Sequence, residues 1–193
     1  MKESIVRKVR ESHDVGFRFF EENAESLESC VRALAGRFKE GGRLFVIGNG
    51  GSACDAAHVA VEFLHPIVEK RRALPALSLA TDSAILTAVG NDGDFASVFE
   101  RQLDVLARPG DAALGISTSG ASSNVIRGLA RARRERLLTI GFAGRDGGRM
   151  PELCDHCFVV KAWSIHRVQE THTLLLHLLW DLVHVAMGED DVL

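Results

Sequence analysis

Two stretches of the chain set small, hydroxyl and amide residues directly after an apolar run, an arrangement that lets the main chain close around an anion. The first is Gly48-Asn49-Gly50-Gly51-Ser52, which leads into a helical pattern beginning near Ala53 or Cys54. Small residues allow close backbone approach, and the unpaired N–H groups at a helix start, with the positive end of its dipole, favour a phosphate or an electron-rich hydroxyl. A tight turn would use the same glycines. The spacing is not G-x-G-x-x-G and no Gly-Lys-Ser/Thr ending follows. Neither a dinucleotide fingerprint nor a nucleotide P-loop is therefore indicated, and no nucleotide cofactor is expected.

The second stretch is Ser117-Thr118-Ser119-Gly120-Ala121-Ser122-Ser123-Asn124, after a run ending at Ile116. Ser117, Thr118, Ser119 and Ser122 put four hydroxyls into six residues at a helix start, enough to wrap a phosphate without Lys or Arg. Helix capping accounts for one of these hydroxyls but not for all. On the helix after the first stretch, His58 and Glu62 are four apart and share a face, a spacing that can clamp a metal or set a base beside its partner. A chance surface pair has the same spacing.

The elements that must position these residues follow from periodicity. Short apolar runs at 43–47, 76–79, 112–116, 137–142 and 157–160 read as strands. They alternate with helical patterns at about 53–64, 83–89, 95–106 and 122–134, which implies an α/β fold, a parallel sheet with helices on both faces. Such sheets bind ligands beyond the carboxyl ends of their strands. Two helices, about 4–22 and 24–39, precede the first strand, and Gly41-Gly42 supply the stop. A long helix at 166–187 closes the chain with a broad stripe of Leu174, Leu175, Leu178, Leu179, Leu182 and Val183. One domain over 1–193 is expected, with N-terminal helices at 1–40, a core at 43–161 and the C-terminal helix. The stripe and the sticky first helix suggest packing between subunits.

The 46% hydrophobic and 25% charged fractions are those of a soluble globular chain. A net charge of -3 gives no reason to expect nucleic acid or an acidic membrane, and Lys70-Arg71-Arg72 and the Arg131 to Arg136 stretch read as solvated surface. The start MKESIVRKVR has no apolar core for a secretory signal, and no run approaches a membrane span, so a cytoplasmic protein is expected. Cys30 and Cys54 show no framework spacing, and Cys154 and Cys157 form a C-x-x-C without a second pair to complete a four-thiolate zinc site.

The stretches Gly48 to Ser52, Gly90-Asn91-Asp92, Gly115 to Gly120 and Arg167-Val168-Gln169-Glu170-Thr171-His172 together resemble the sugar isomerase (SIS) domain family, and within it the phosphoheptose isomerases. The resemblance extends over nearly the whole chain. Ser-Thr-Ser-Gly after a strand is shared by many sugar isomerase domains, whereas Gly-Asn-Gly-Gly-Ser with Arg-x-Gln-Glu is narrower. It implies a three-layer α/β/α fold and an aldose-ketose isomerase that converts sedoheptulose 7-phosphate to D-glycero-D-manno-heptose 7-phosphate, a precursor of nucleotide-activated heptoses. Glu62 and His177 would be the acid/base pair, and His58, Glu62, Gln169 and His177 a zinc site. Ser117, Thr118, Ser119 and Ser122 would hold the phosphate, and Asn49, Gly50, Gly51, Ser52, Asn91, Asp92 and Gln169 the sugar chain. A homotetramer with active sites at subunit interfaces is also implied.

Gln169 and His177 are eight residues apart, about 12 Å of rise along a straight helix. Either the first turn of that helix is distorted or the two reach one site from different subunits. His172 and His184 read as interface or surface residues. Ala53 and His166 depart from the family, which often has histidine at the first and an acidic residue at the second. A non-catalytic relative that binds the replication initiator DnaA is the rival reading, and it lacks the histidine matching His177. Retention of both Glu62 and His177 favours an enzyme.

Overall fold

The computed structural model describes residues 1–68 and 71–191; Lys70 of the expected basic cluster lies outside them. Five parallel strands, β1 (Leu44–Gly48), β2 (Ala76–Ser78), β3 (Ala112–Ser117), β4 (Leu138–Gly144) and β5 (His156–Val160), form one sheet in the order β2-β1-β3-β4-β5. The central strands β1, β3 and β4 are buried at every position, because successive side chains enter opposite faces and both faces are covered. Leu44 and Val46 enter one core with helices α1 (Lys2–Lys39), α2 (Gly51–Leu64) and α6 (Ile165–Ala186), and Phe45 and Ile47 enter another with α4 (Val98–Leu106) and α5 (Ser123–Arg134). A further helix, α3 (Ser83–Asp92), packs against a 3-10 turn at Phe95–Ser97 and against α4.

The topology locates the site. After β1 the chain pairs leftwards with β2 and rightwards with β3, so strand order reverses between β1 and β3, whose ends lie level with Gly48 opposite Ile116. The helices that follow, α2 and α5, leave to opposite faces and open a crevice between their starts.

Three expectations are corrected. The first two helices are one 38-residue helix, because the residues around Asn23 contain no breaker and the Asn23 side chain bonds back to the Phe19 carbonyl at 2.8 Å within the helix. Arg71 is not solvated surface. Its side chain is buried, donates to Asp181 at 2.5 Å and stacks 4.7 Å from the Trp180 ring centroid, so a charge and an aromatic face on α6 take it out of water. His172 and His184 are both fully buried on the inner side of α6. His172 Nε2–H donates to the Ala143 carbonyl at 3.0 Å, and burial pushes its pKa down to about 4, which keeps it neutral. No helix among the described residues is long and apolar enough to cross a membrane.

Candidate active site

Helix α2 begins at Gly51, two residues before the sequence pattern suggested. Gly50 stands before it with φ at 55°, and Ala53 and Cys54 N–H both turn back to the Gly50 carbonyl. The N–H groups of Gly51 and Ser52 are thereby left at the helix mouth for a ligand. Gly51 leaves the space that Gln169 fills: a Cβ there would stand 2.1 Å from Gln169 Nε2. The Gln169 amide thus roofs the start of α2, and Gln169 belongs to the first turns of an unbroken α6.

Two turns along, α2 and α6 meet again. His58 Nε2 lies 3.1 Å from Glu62 Oε1 and 3.2 Å from His177 Nε2, with the two imidazole planes near perpendicular at 80°. Helix repeat explains the convergence, since His58 and Glu62 share a face of α2 and that face looks across at His177 on α6. One donor atom from each residue falls within 4.8 Å of the other two. Ligands on a tetrahedral ion with bonds of about 2.0–2.1 Å stand roughly 3.3 Å apart, so the spacing and the His-Glu-His donor set fit a divalent metal with a coordination position left open. Gln169 is not beside them. It lies level with Gly51, and the distorted first turn is absent.

One turn before His58, the Asp55 carboxyl is half-buried and its Oδ2 has no hydrogen-bond partner among the described residues. Burial pushes its pKa up to about 6, with the nearby His58 pulling the other way. The sequence offered a signal for Asp55 in its spacing of three from His58, but no expectation singled it out.

At the other side of the crevice, Ser117 Oγ lies 2.9 Å from Ser122 Oγ and 3.4 Å from Ser119 Oγ, and Ser119 Oγ accepts from Ala121 N–H. Ser122 occupies the N-cap of α5 without using its hydroxyl as a cap, so beyond its bond to Ser117 Oγ the hydroxyl keeps capacity for a ligand. The loop is braced from behind, where Gly120 (φ 62°) accepts from Arg149 N–H and abuts Gly147, whose carbonyl oxygen would lie 1.9 Å from a Gly120 Cβ. Thr118 is half-buried on the same loop. The two loops are joined by a reciprocal pair of amide bonds between Asn49 and Asn124, each 2.8 Å. Sequence reading gave Asn49 a ligand role and gave Asn124 none.

Asn91 and Asp92 stand apart from this assembly. They end α3, are exposed, and Asn91 Nδ2 donates to Asp92 at 2.8 Å. No residue of α3 is buried, although Ala84, Ile85, Leu86 and Val89 are apolar.

Comparisons with known proteins show which family the chain resembles. The SIS domain family profile matches residues 9–144. A phosphoheptose isomerase from Aquifex aeolicus is 43% identical over 189 residues, 98% of this chain and 99% of the relative. One from Pelobacter propionicus is 49% identical over 154 residues, 80% of this chain and 82% of the relative. Among solved structures, a phosphoheptose isomerase from Neisseria gonorrhoeae superposes with a TM-score of 0.88 at 34% identity, covering 94% of this chain and 97% of the other.

Proposed function

The chain belongs to the SIS domain family and, within it, to the phosphoheptose isomerases, and on that footing we propose that it converts sedoheptulose 7-phosphate to D-glycero-D-manno-heptose 7-phosphate. The observation that carries the reading is the meeting of Glu62 and His177 within one chain, across a crevice from a cradle of serine hydroxyls. A phosphorylated sugar laid across the crevice has its anion at Ser117, Thr118, Ser119 and Ser122 and the α5 start, and its carbonyl end at the carboxylate and imidazole. Hydroxyls and helix N–H groups hold phosphate by hydrogen bonds, with no need for a cationic side chain.

Ketose-to-aldose conversion takes a proton from C1, passes through an enediolate and returns a proton to C2. Glu62 is the base that moves this proton, and His177 transfers the proton between O1 and O2. Gly50, Gly51 and Ser52 N–H groups, Asn49 and the Gln169 amide orient the sugar hydroxyls. His58, Glu62 and His177 would hold a zinc ion, which supplies Lewis-acid polarisation of the carbonyl oxygen when bound. Glu62 has two carboxylate oxygens, and only Oε1 faces His58; Oε2 remains for the substrate proton. Gln169, about 12 Å along the helix from His177, would have to come from a second copy of the chain to be a fourth ligand.

Assembly into a homotetramer with sites at subunit interfaces is part of the same reading. Its support is exposed apolar surface: Ile5, Val6, Val9 and Phe17 on α1, and Ile85 on α3, a helix with no fully buried residue. Docking α3 on a neighbour would bring Asn91 and Asp92 to the neighbour's sugar. A cytoplasmic setting, where phosphosugars are made and consumed, suits the activity.

The test is to incubate the purified chain with sedoheptulose 7-phosphate, with and without chelator, and follow the aldose by NMR. Conversion that falls on chelation and returns with zinc supports the reading. Absence of any aldose from metal-loaded protein removes it.

A further inference from the structure

The two anion-holding loops belong to helices that leave the sheet on opposite faces, so the width of the crevice needs a device to set it. Beyond the β1–β3 ladder, residues 49–52 and 117–124 are joined among the described residues by one set of side-chain hydrogen bonds. Asn49 Nδ2 donates to Asn124 Oδ1 and Asn124 Nδ2 donates to Asn49 Oδ1, both at 2.8 Å. Asn124 Oδ1 also accepts from its neighbour Val125 N–H at 2.9 Å, and Asn124 is only 3% exposed. Two parallel bonds between planar amides resist both sliding and rotation, which a single bond does not. Buried amides left without partners are costly, so each residue depends on the other to stay where it is.

What the pair connects gives it meaning. Asn49 lies two residues before α2, the helix of His58 and Glu62, and Asn124 is the second residue of α5, whose N-cap is Ser122. A hydroxyl cradle thus hangs from one amide and the proposed base from the other. Each Asn49 group keeps capacity to spare, one N–H and one lone pair, so the contact with Asn124 does not exclude a contact with sugar.

We propose that the Asn49–Asn124 amide pair is a spacer that fixes the distance between the phosphate cradle and the Glu62 end of the site. Asn124 is a positioning residue, Asn49 adds that role to its contact with the sugar, and together they select phosphosugars long enough to span the crevice. The inference rests on the sugar-phosphate reading above and adds to it the origin of chain-length selectivity.

The experiment compares wild type with Asn124→Ala using one ligand that occupies the cradle alone and one that spans it. Inorganic phosphate binding is measured by calorimetry. Steady-state kinetics are measured with sedoheptulose 7-phosphate and with a five-carbon ketose 5-phosphate, and thermal unfolding is recorded for each protein. Asn124→Ser is carried in parallel in case the alanine chain does not fold. The spacer predicts phosphate affinity within about 2-fold of wild type, while kcat/KM for the seven-carbon substrate falls roughly 10- to 100-fold, mostly in kcat, because a reacting atom held loosely by about an ångström loses rate on that scale. Preference for seven over five carbons shrinks, and the loss in the Asn49→Ala/Asn124→Ala double variant is smaller than the product of the two single losses, as for partners in one contact, the remainder being Asn49's own contact with the sugar. Phosphate and substrate weakening in equal proportion would mean that Asn124 only shapes its own loop, and would overturn the spacer while leaving the function intact. Unchanged kcat/KM would also overturn it. Failure of wild type to bind sugar phosphate removes the function and the spacer with it.

Discussion

Gly51→Ala separates a structural glycine from a functional one. A Cβ at this position would stand 2.1 Å from Gln169 Nε2, where ordinary contact begins at 3.4 Å, and its neighbours otherwise leave it room. The obstacle is the far end of a flexible side chain, so the glutamine swings aside by about an ångström and the backbone stays put. Stability should hold or rise, since alanine at an exposed helix position gains roughly 0.5–1 kcal/mol over glycine. Activity should not hold. The amide proposed to orient the sugar is displaced by about the distance that costs roughly 100-fold in rate. The assay pairs thermal unfolding with kcat/KM for sedoheptulose 7-phosphate, and includes Gln169→Ala and the double variant. The double should be no worse than Gln169→Ala alone, because both changes remove one contact. Activity within about 2-fold of wild type in a folded Gly51→Ala chain would refute a role for Gln169 at the sugar.

Other outcomes follow from the same geometry. Gly120→Ala sets a side chain at a φ of 62° and against the Gly147 carbonyl, so it should lower stability by about 3 kcal/mol and Tm by roughly 6–12 °C in a thermal melt. His58→Ala should lower bound zinc per chain at least about 10-fold by elemental analysis, with little change in Tm of the metal-free protein, because the residue is half-exposed. His172 gives a pH signature. Its folded pKa of about 4 lies below the ordinary 6.5, so between those values the unfolded chain binds more protons and stability falls as pH falls. The slope is worth up to about 3 kcal/mol and should flatten in His172→Gln, measured by denaturant melts from pH 7 to pH 4. Asp55, raised to about 6, adds an opposing slope that is common to both proteins and cancels in the comparison.

Strand positions and the two loops were readable because short apolar runs, glycines and clustered hydroxyls are local signals. The crevice between β1 and β3 follows from alternation of strands and helices, but the reversal of strand order there is a tertiary fact. The same holds for the pairing of Glu62 with His177, since 115 residues' worth of chain had to fold before α6 met α2. Resemblance supplied that pair; spacing alone supplied only His58 with Glu62. The break expected near Asn23 failed because a polar residue can bond back to its own helix as readily as end it. His172 and Arg71 looked like surface residues because their type is polar, and only the structure gives the carbonyl, carboxylate and indole that make their burial tolerable. Asn124 was passed over as a residue among serines, since its partner lies in another loop.

The most direct measurement is conversion of sedoheptulose 7-phosphate in deuterium oxide by wild type and by Glu62→Gln, with deuterium read at C2 of the aldose. A carboxylate that carries the proton between carbons, and exchanges it with solvent while the enediolate is held, predicts solvent label in the wild-type product and a loss of roughly 100- to 10,000-fold in kcat for the folded amide variant. Near-normal turnover with label still entering C2 in Glu62→Gln would mean that some other group carries the proton.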